Sequence, residues 1–208
     1  MGKFHRLLRA LADAGDADVA RTTRRSNGSR LVPTPQRLQS KAFVAVDFET
    51  ANRVSRASAC QIALVKVNRG RVVDRFDSLI KPPAGVNKFE FTYLHGIGPG
   101  HVARAPQWPQ LVDTVAKFVA GLPVYAHNAS FDAGVWRALD EYFDTSSLPE
   151  EFYCSYRTAK RIVPGLENYK LPTVARECAP GFKLDHHRAG SDAEACALIV
   201  AELQRRSR

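Results

Sequence analysis

No stretch of the 208 residues approaches the roughly 20 consecutive apolar residues that a membrane-spanning helix requires. The amino terminus alternates charged and small residues and lacks the apolar centre of a secretion signal. Both absences point to a cytoplasmic chain with no membrane partner. Cysteine is sparse: Cys60, Cys154, Cys178 and Cys196 lie far apart and form no C-x-x-C pair, so neither a zinc ribbon nor a redox dithiol is signalled. Each has apolar neighbours, and all four are expected to pack as small buried thiols. Acidic residues are outnumbered 21 to 30 by Lys and Arg; the net charge of +9 favours a polyanionic partner. What remains, with 45% hydrophobic content, is enough for one domain with a substantial core.

The positive charge is unevenly spread. Residues 1–41 hold nine Lys or Arg against three Asp, a net of +6, which leaves only +3 for the rest of the chain. Residues 21–30 contain almost nothing apolar, so residues 1–40 read as a basic, largely mobile leader, with a short helix over residues 4–14. Such a leader serves either as an electrostatic arm or as a solvated tail. The folded domain is expected over 41–208.

Three apolar segments follow, at 43–46, 61–67 and 72–80, with an Asn68-Arg-Gly70 turn between the last two; they predict a three-strand meander. Pro82-Pro83 ends it, and a loop-rich stretch runs to Pro109. Leu111, Val112, Val115, Phe118 and Val119 then repeat at helical spacing before Gly121. A short strand at 123–126 leads into a helix with Phe131, Val135 and Leu139 on one face. A strand near 152–155 and helices near 171–178 and 191–205 complete the pattern. A meander followed by strand–helix units implies an α/β fold: a mixed sheet with helices on both faces.

Three constellations carry chemistry. Asp47-Phe48-Glu49 closes the first strand, and alternation along a strand sends both carboxylates to one side of the sheet's rim. Such a triplet is more often a pair of solvated loop acids. In His127-Asn-Ala-Ser-Phe-Asp132 a strand delivers an acid to the first turn of a helix, although Asn128 or Ser130 capping and a dipole-stabilised Asp132 account equally for the pattern. In His186-His187-Arg-Ala-Gly-Ser-Asp192, five residues separate His187 from Asp192. On one helix that spacing would set them about 140° apart, so His187 belongs in the loop before the helix.

Together these segments resemble the three motifs of the DEDDh exonuclease superfamily, which includes the proofreading epsilon subunit of DNA polymerase III, RNase T and oligoribonuclease. Asp47 and Glu49 fit the first motif, Asn128, Phe131 and Asp132 the second, and His187 and Asp192 the third. Tyr93-Leu-His95-Gly96-Ile97 resembles the segment that seats the terminal nucleotide. Thr50-Ala51-Asn52 departs from the Thr-Thr-Gly often seen in proofreading subunits. The resemblance implies a ribonuclease H-like fold and 3′–5′ hydrolysis of single-stranded DNA or RNA ends. Asp47, Glu49, Asp132 and Asp192 would hold two divalent cations, with Asp47 bridging both and Asp132 acting partly through water. Oxygen ligands favour Mg²⁺ or Mn²⁺. His187 would be the general base, with His186 the competing residue. Phe48 and Phe131 would meet the terminal base unless they serve the core; Thr50, His95, Gly96, Ile97 and Asn128 would complete the substrate contacts. A proofreading subunit would normally carry a polymerase-binding segment after the nuclease domain, so a free-standing nuclease is expected ahead of a polymerase partner. An inactive nucleic-acid-binding module is disfavoured because all four acids and the histidine are present.

Overall fold

The first strand opens on a continuous apolar run, Ala42–Val46, because both of its faces are covered there. In β1 (Ala42–Thr50), Val44, Val46 and Phe48 enter one hydrophobic cluster, while Phe43 and Ala45 enter another across the sheet. The computed structural model describes residues 31–208; the helix expected over 4–14 and most of the basic leader lie outside the described residues. β1 is the central strand of a five-stranded sheet of order β3-β2-β1-β4-β5. It pairs antiparallel with β2 (Ala59–Asn68), which pairs antiparallel with β3 (Arg71–Leu79). On its other side it pairs parallel with β4 (Val124–Ala126), itself parallel to β5 (Phe152–Cys154). The two residues between β2 and β3, Arg69 and Gly70, have φ of 50° and 75°, the paired left-handed conformation of a type I′ hairpin turn.

One face carries α4 (Trp108–Val119) and α5 (Ala129–Phe143). Trp108, Leu111, Val115 and Val119 recur every three or four residues, so α4 presents one apolar stripe to β1 and β2. α5 adds Val135, Trp136 and Leu139 to the same core. Its Gly134 leaves room for the Arg56 side chain, which crosses α5 from a 3-10 turn at Arg56–Ser58. The other face carries α8 (Ala189–Arg206). Its Ala189, Ala193, Cys196, Ala197 and Val200 meet the sheet; Ala195, Ile199 and Leu203 meet α6 (Ser155–Ile162) and α7 (Leu171–Cys178). Small side chains let this helix lie close to the sheet, and enlarging one, as in Ala197→Leu, would cost about 1–3 kcal/mol in strain. All four cysteines are buried and free, as packing required.

Two stretches hold structure that their residue pattern does not signal. Residues 31–40, ahead of the expected start of the domain, pack against it. Leu31 O accepts a 2.7 Å bond from Cys154 N, and Leu38, in the short helix α1 (Pro35–Leu38), is buried and held at its carbonyl by Gln204 Nε2. Two isolated leucines in a polar stretch make no periodic pattern, which is why composition assigned 31–40 to the leader. The stretch before α4 also contains two one-turn helices, α2 (Thr92–His95) and α3 (Pro99–Val102). Among the described residues no helix is long and apolar enough to cross a membrane.

Candidate active site

The acids gather where β1 outruns its parallel neighbour. β1 and β4 pair only at Val44–Val124 and Ala45–Tyr125, so the last residues of β1 extend beyond the end of β4. Into that gap α5 sends Asp132, whose Oδ1 accepts from Phe48 N at 3.2 Å and so replaces the missing strand as a backbone partner. Asp47 and Glu49 project from β1 toward the α8 face, where the first turn of α8 supplies Asp192. Carboxylate oxygens of Asp47, Glu49 and Asp192 all lie within 4.8 Å of one another. Asp132 stands beside this trio rather than within it.

These carboxylates repel one another in poor solvent. Glu49, Asp132 and Asp192 are 8%, 2% and 4% exposed. Burial, followed by the charges of Asp132, Asp192 and Glu49, holds Asp47 well above the ordinary carboxylate range. Burial and Asp192 raise Glu49 to about 7, although Arg188 pulls it down; burial raises Asp132 to about 8 against the Phe48 N–H bond. Asp192 is raised too, burial outweighing His186. Four close acids with all-oxygen donors and unrelieved repulsion suit hard divalent cations.

The third motif folds as a turn before α8. His186 Nδ1 donates to Asp192 Oδ2 at 2.9 Å, and His187 N donates to the same oxygen at 3.0 Å. The two imidazoles stack, centroids 3.8 Å apart. His187 holds φ at 67°, a left-handed conformation that a non-glycine residue keeps only when its surroundings enforce it. Asn128, the N-cap position of α5, is also left-handed, with φ 73°, and makes no side-chain cap bond. It accepts from Ser130 Oγ instead.

A cleft of about 720 Å³ joins these groups, lined also by Thr50, Phe91, Leu94, Phe131, Tyr156 and Lys170. A depression of about 770 Å³ at the opposite end of the sheet, around Lys41 and Arg69, contains no such group of acids. Volume alone does not select the site; the carboxylates do.

Several residues assigned to substrate from the sequence are engaged elsewhere. Phe48 does line the cleft, yet it is 3% exposed, with its ring 5.8 Å from Trp136 and 6.3 Å from Trp108, so most of the ring is committed to the aromatic core. His95 is 1% exposed and turns inward: Nε2 donates to Thr50 O at 3.1 Å and Nδ1 accepts from Ile97 N at 3.0 Å. Ile97 is buried, and Gly96 lies beneath the Arg188 guanidinium. His95, Gly96 and Ile97 support the wall, while from this segment Leu94 faces the cleft, as does Phe91 just before it. Phe131, 36% exposed, does line it. The sequence did not single out His127, which donates from Nε2 to Tyr169 O and accepts from Ser155 Oγ. Burial lowers it to about 4, so it is a neutral strut. Arg188, beside His187, was also missed; it donates to His95 O at 2.6 Å and so ties the third-motif turn to α2.

The family model described as RNase T, Exonuclease, matches residues 44–200, spanning both ends of the acid cluster. The chain belongs to this exonuclease family. A DNA polymerase III of PolC type from Streptococcus thermophilus is 30% identical over 165 residues, covering 78% of this chain and 11% of that one. The 3′–5′ exonuclease DinG of Bacillus subtilis is 28% identical over 172 residues, 80% of this chain and 18% of its own. The chain thus spans a small part of the curated relatives it matches. Among solved structures, the nuclease domain of 3′hExo, titled a DEDDh family member bound to rAMP, superposes with TM-score 0.68 at 14% identity over 79% of this chain and 92% of that one. Exonuclease X in complex with 5′ overhanging duplex DNA superposes at 0.61 with 24% identity over 78% and 91%. The fold is therefore the ribonuclease H-like one expected.

Proposed function

We propose that this exonuclease releases nucleoside 5′-monophosphates from the 3′ end of a nucleic-acid strand, with Asp47, Glu49, Asp132 and Asp192 as the holders of two divalent cations, Mg²⁺ or Mn²⁺. The observation that carries this is the trio of carboxylates within 4.8 Å, with a fourth beside it, all driven toward protonation by burial, and Asp47, Glu49 and Asp132 also by the neighbouring acids. Bound there, such ions supply positive charge to the attacking and leaving oxygens of a phosphodiester. The name of the DinG relative supports the polarity.

The remaining steps fall to the side chains. His187 takes the proton of the attacking water at an imidazole nitrogen. Burial and the adjacent His186 lower its pKa, which keeps it neutral and able to accept near neutral pH. His186 is engaged at Nδ1 by Asp192, whereas the His187 ring has no hydrogen-bond partner among the described residues, which favours His187 as base. Phe131, Phe91 and Leu94 would offer an apolar surface to the terminal base, and Thr50 and Asn128, which also line the cleft, would meet the sugar and phosphate.

Digestion of matched 3′-labelled and 5′-labelled DNA and RNA strands with Mg²⁺ or Mn²⁺ tests polarity and sugar preference together; mononucleotides released first from the 5′ end would overturn the reading. His187→Ala should bind metal normally by calorimetry while losing about 10²- to 10⁴-fold in rate. If His186→Ala carries the large defect instead, the base is His186. A second reading, proofreading beside a polymerase, is favoured by the PolC-type matches; co-elution with a replicative polymerase at micromolar concentration would support it.

A further inference from the structure

The two walls of the cleft differ in charge. On the β1 side the wall is apolar, Phe91 and Leu94, and the nearby Arg53 is already engaged by Glu90 at 3.5 Å. On the β5 side the wall is built by α6 and the start of α7, and it combines aromatic rings with cations. Tyr156 and Lys170 line the cleft itself. The Tyr156 ring stands edge-on to His127 at 5.9 Å and to Tyr169 at 6.2 Å, and Lys160 Nζ lies 5.6 Å and 5.8 Å from the two tyrosine centroids. Lys160 and Lys170 are exposed, and neither has an ion-pair partner among the described residues. Unpaired cations beside a stacking surface are what a single strand needs: phosphates meet the charges and bases meet the rings, without regard to sequence.

We propose that this α6–α7 wall is the track for the strand upstream of the scissile bond, with Tyr156 stacking a base and Lys160 and Lys170 meeting phosphates. The proposal rests on the nuclease reading of the cleft and names its substrate class more narrowly, as a single strand several nucleotides long rather than a dinucleotide. The acids lie between the two walls, so a terminal nucleotide on the apolar side leaves the upstream strand on the cationic side. Tyr156 is held rather than free: His127, anchored on Tyr169 O and Ser155, fixes the wall on which it sits.

The test uses the full chain and labelled single-stranded DNA, from a dinucleotide upward, with equilibrium binding by fluorescence anisotropy in chelator and steady-state hydrolysis with Mn²⁺. Affinity of the wild type should rise with length over the first several nucleotides and then level. Lys160→Ala and Lys170→Ala should each reduce the log–log salt slope by about 0.7, the contribution of one phosphate contact on a single strand. Tyr156→Ala should raise Kd and KM on long strands about tenfold with little change in kcat, a factor at the low end of base stacking. Tyr156→Phe, which retains the ring, should restore both. Arg71→Ala, which removes an exposed charge from the far edge strand, serves as the control for general electrostatics. Equal losses in Arg71→Ala and Lys160→Ala, or affinity independent of length, would overturn the track. Length-dependent binding that the variants weaken, without hydrolysis of any strand, would leave the track standing and overturn the nuclease reading instead.

Discussion

Asp140 and Asp132 lie two turns apart on α5, both almost fully buried, yet they face opposite electrostatic fates. Asp140 accepts from Trp108 Nε1 at 3.0 Å, Thr145 Oγ1 at 2.6 Å, Ser147 N at 2.8 Å and Leu148 N at 2.9 Å. Burial pushes its pKa up, but the bonds from Thr145, Trp108 and Ser147 outweigh it and hold it below the ordinary value. Asp132 has one partner outside its own helix, Phe48 N, and three other carboxylates nearby. A buried acid supplied with donors by the protein is part of the structure. One that is denied them, among like charges, is kept for something the chain does not itself contain.

The largest expected effect separates the two kinds of acid by function. Asp47→Ala should lower turnover by about 10³-fold or more, because the cluster loses a central carboxylate. It should leave the circular dichroism spectrum intact and raise the metal-free melting temperature, since repulsion is relieved. Asp140→Ala should do the reverse. It strands buried donors at roughly 1–3 kcal/mol each, and each kcal/mol lowers the melting temperature of a domain this size by about 2–4 °C, while activity per folded molecule persists below the transition. Equal loss of stability in both variants would break the contrast.

A smaller effect sharpens it through pH. Glu49 and Asp132, raised from 4.5 and 3.8 to about 7 and about 8, bind protons in the folded chain that the unfolded chain has released. In chelator their contribution is fully present below the unfolded values and is lost as pH rises through the folded ones. Asp140, depressed, contributes above its unfolded value of 3.8 and loses that contribution as pH falls. The metal-free melting temperature should therefore decline between about pH 5 and about pH 8. Asp132→Asn, which can still accept from Phe48 N, should flatten that decline, and Mn²⁺ should remove most of it. A metal-free melting temperature that rises over this interval would contradict the assignment of the cluster as unsatisfied.

How legible this was in the residue order varies with distance along the chain. Strand alternation put Asp47 and Glu49 on one side, and the five-residue separation put His187 in a turn before α8; both are local properties of the backbone, and both hold. The Asn68-Arg-Gly70 turn was readable for the same reason. Phe48 and His95 were not. Each has the composition of a substrate contact, but Trp108 and Trp136 enclose the first and Thr50 with Ile97 engages the second, across tens of residues in most cases.

By itself, then, the sequence determined the five strands, the helices α4, α5, α7 and α8 and their order, the four acids and the turn that carries the histidines, because hydrophobic period, glycine at a left-handed turn and i, i+2 alternation act within a few residues; α6 and the one-turn helices carry no such local signal. Only the tertiary structure decided which acids go unsatisfied, which histidine Asp192 engages and which wall of the cleft is cationic. Those depend on whether a donor, a ring or a like charge arrives from a distant element, and where β1 outruns β4 no local rule says what fills the gap.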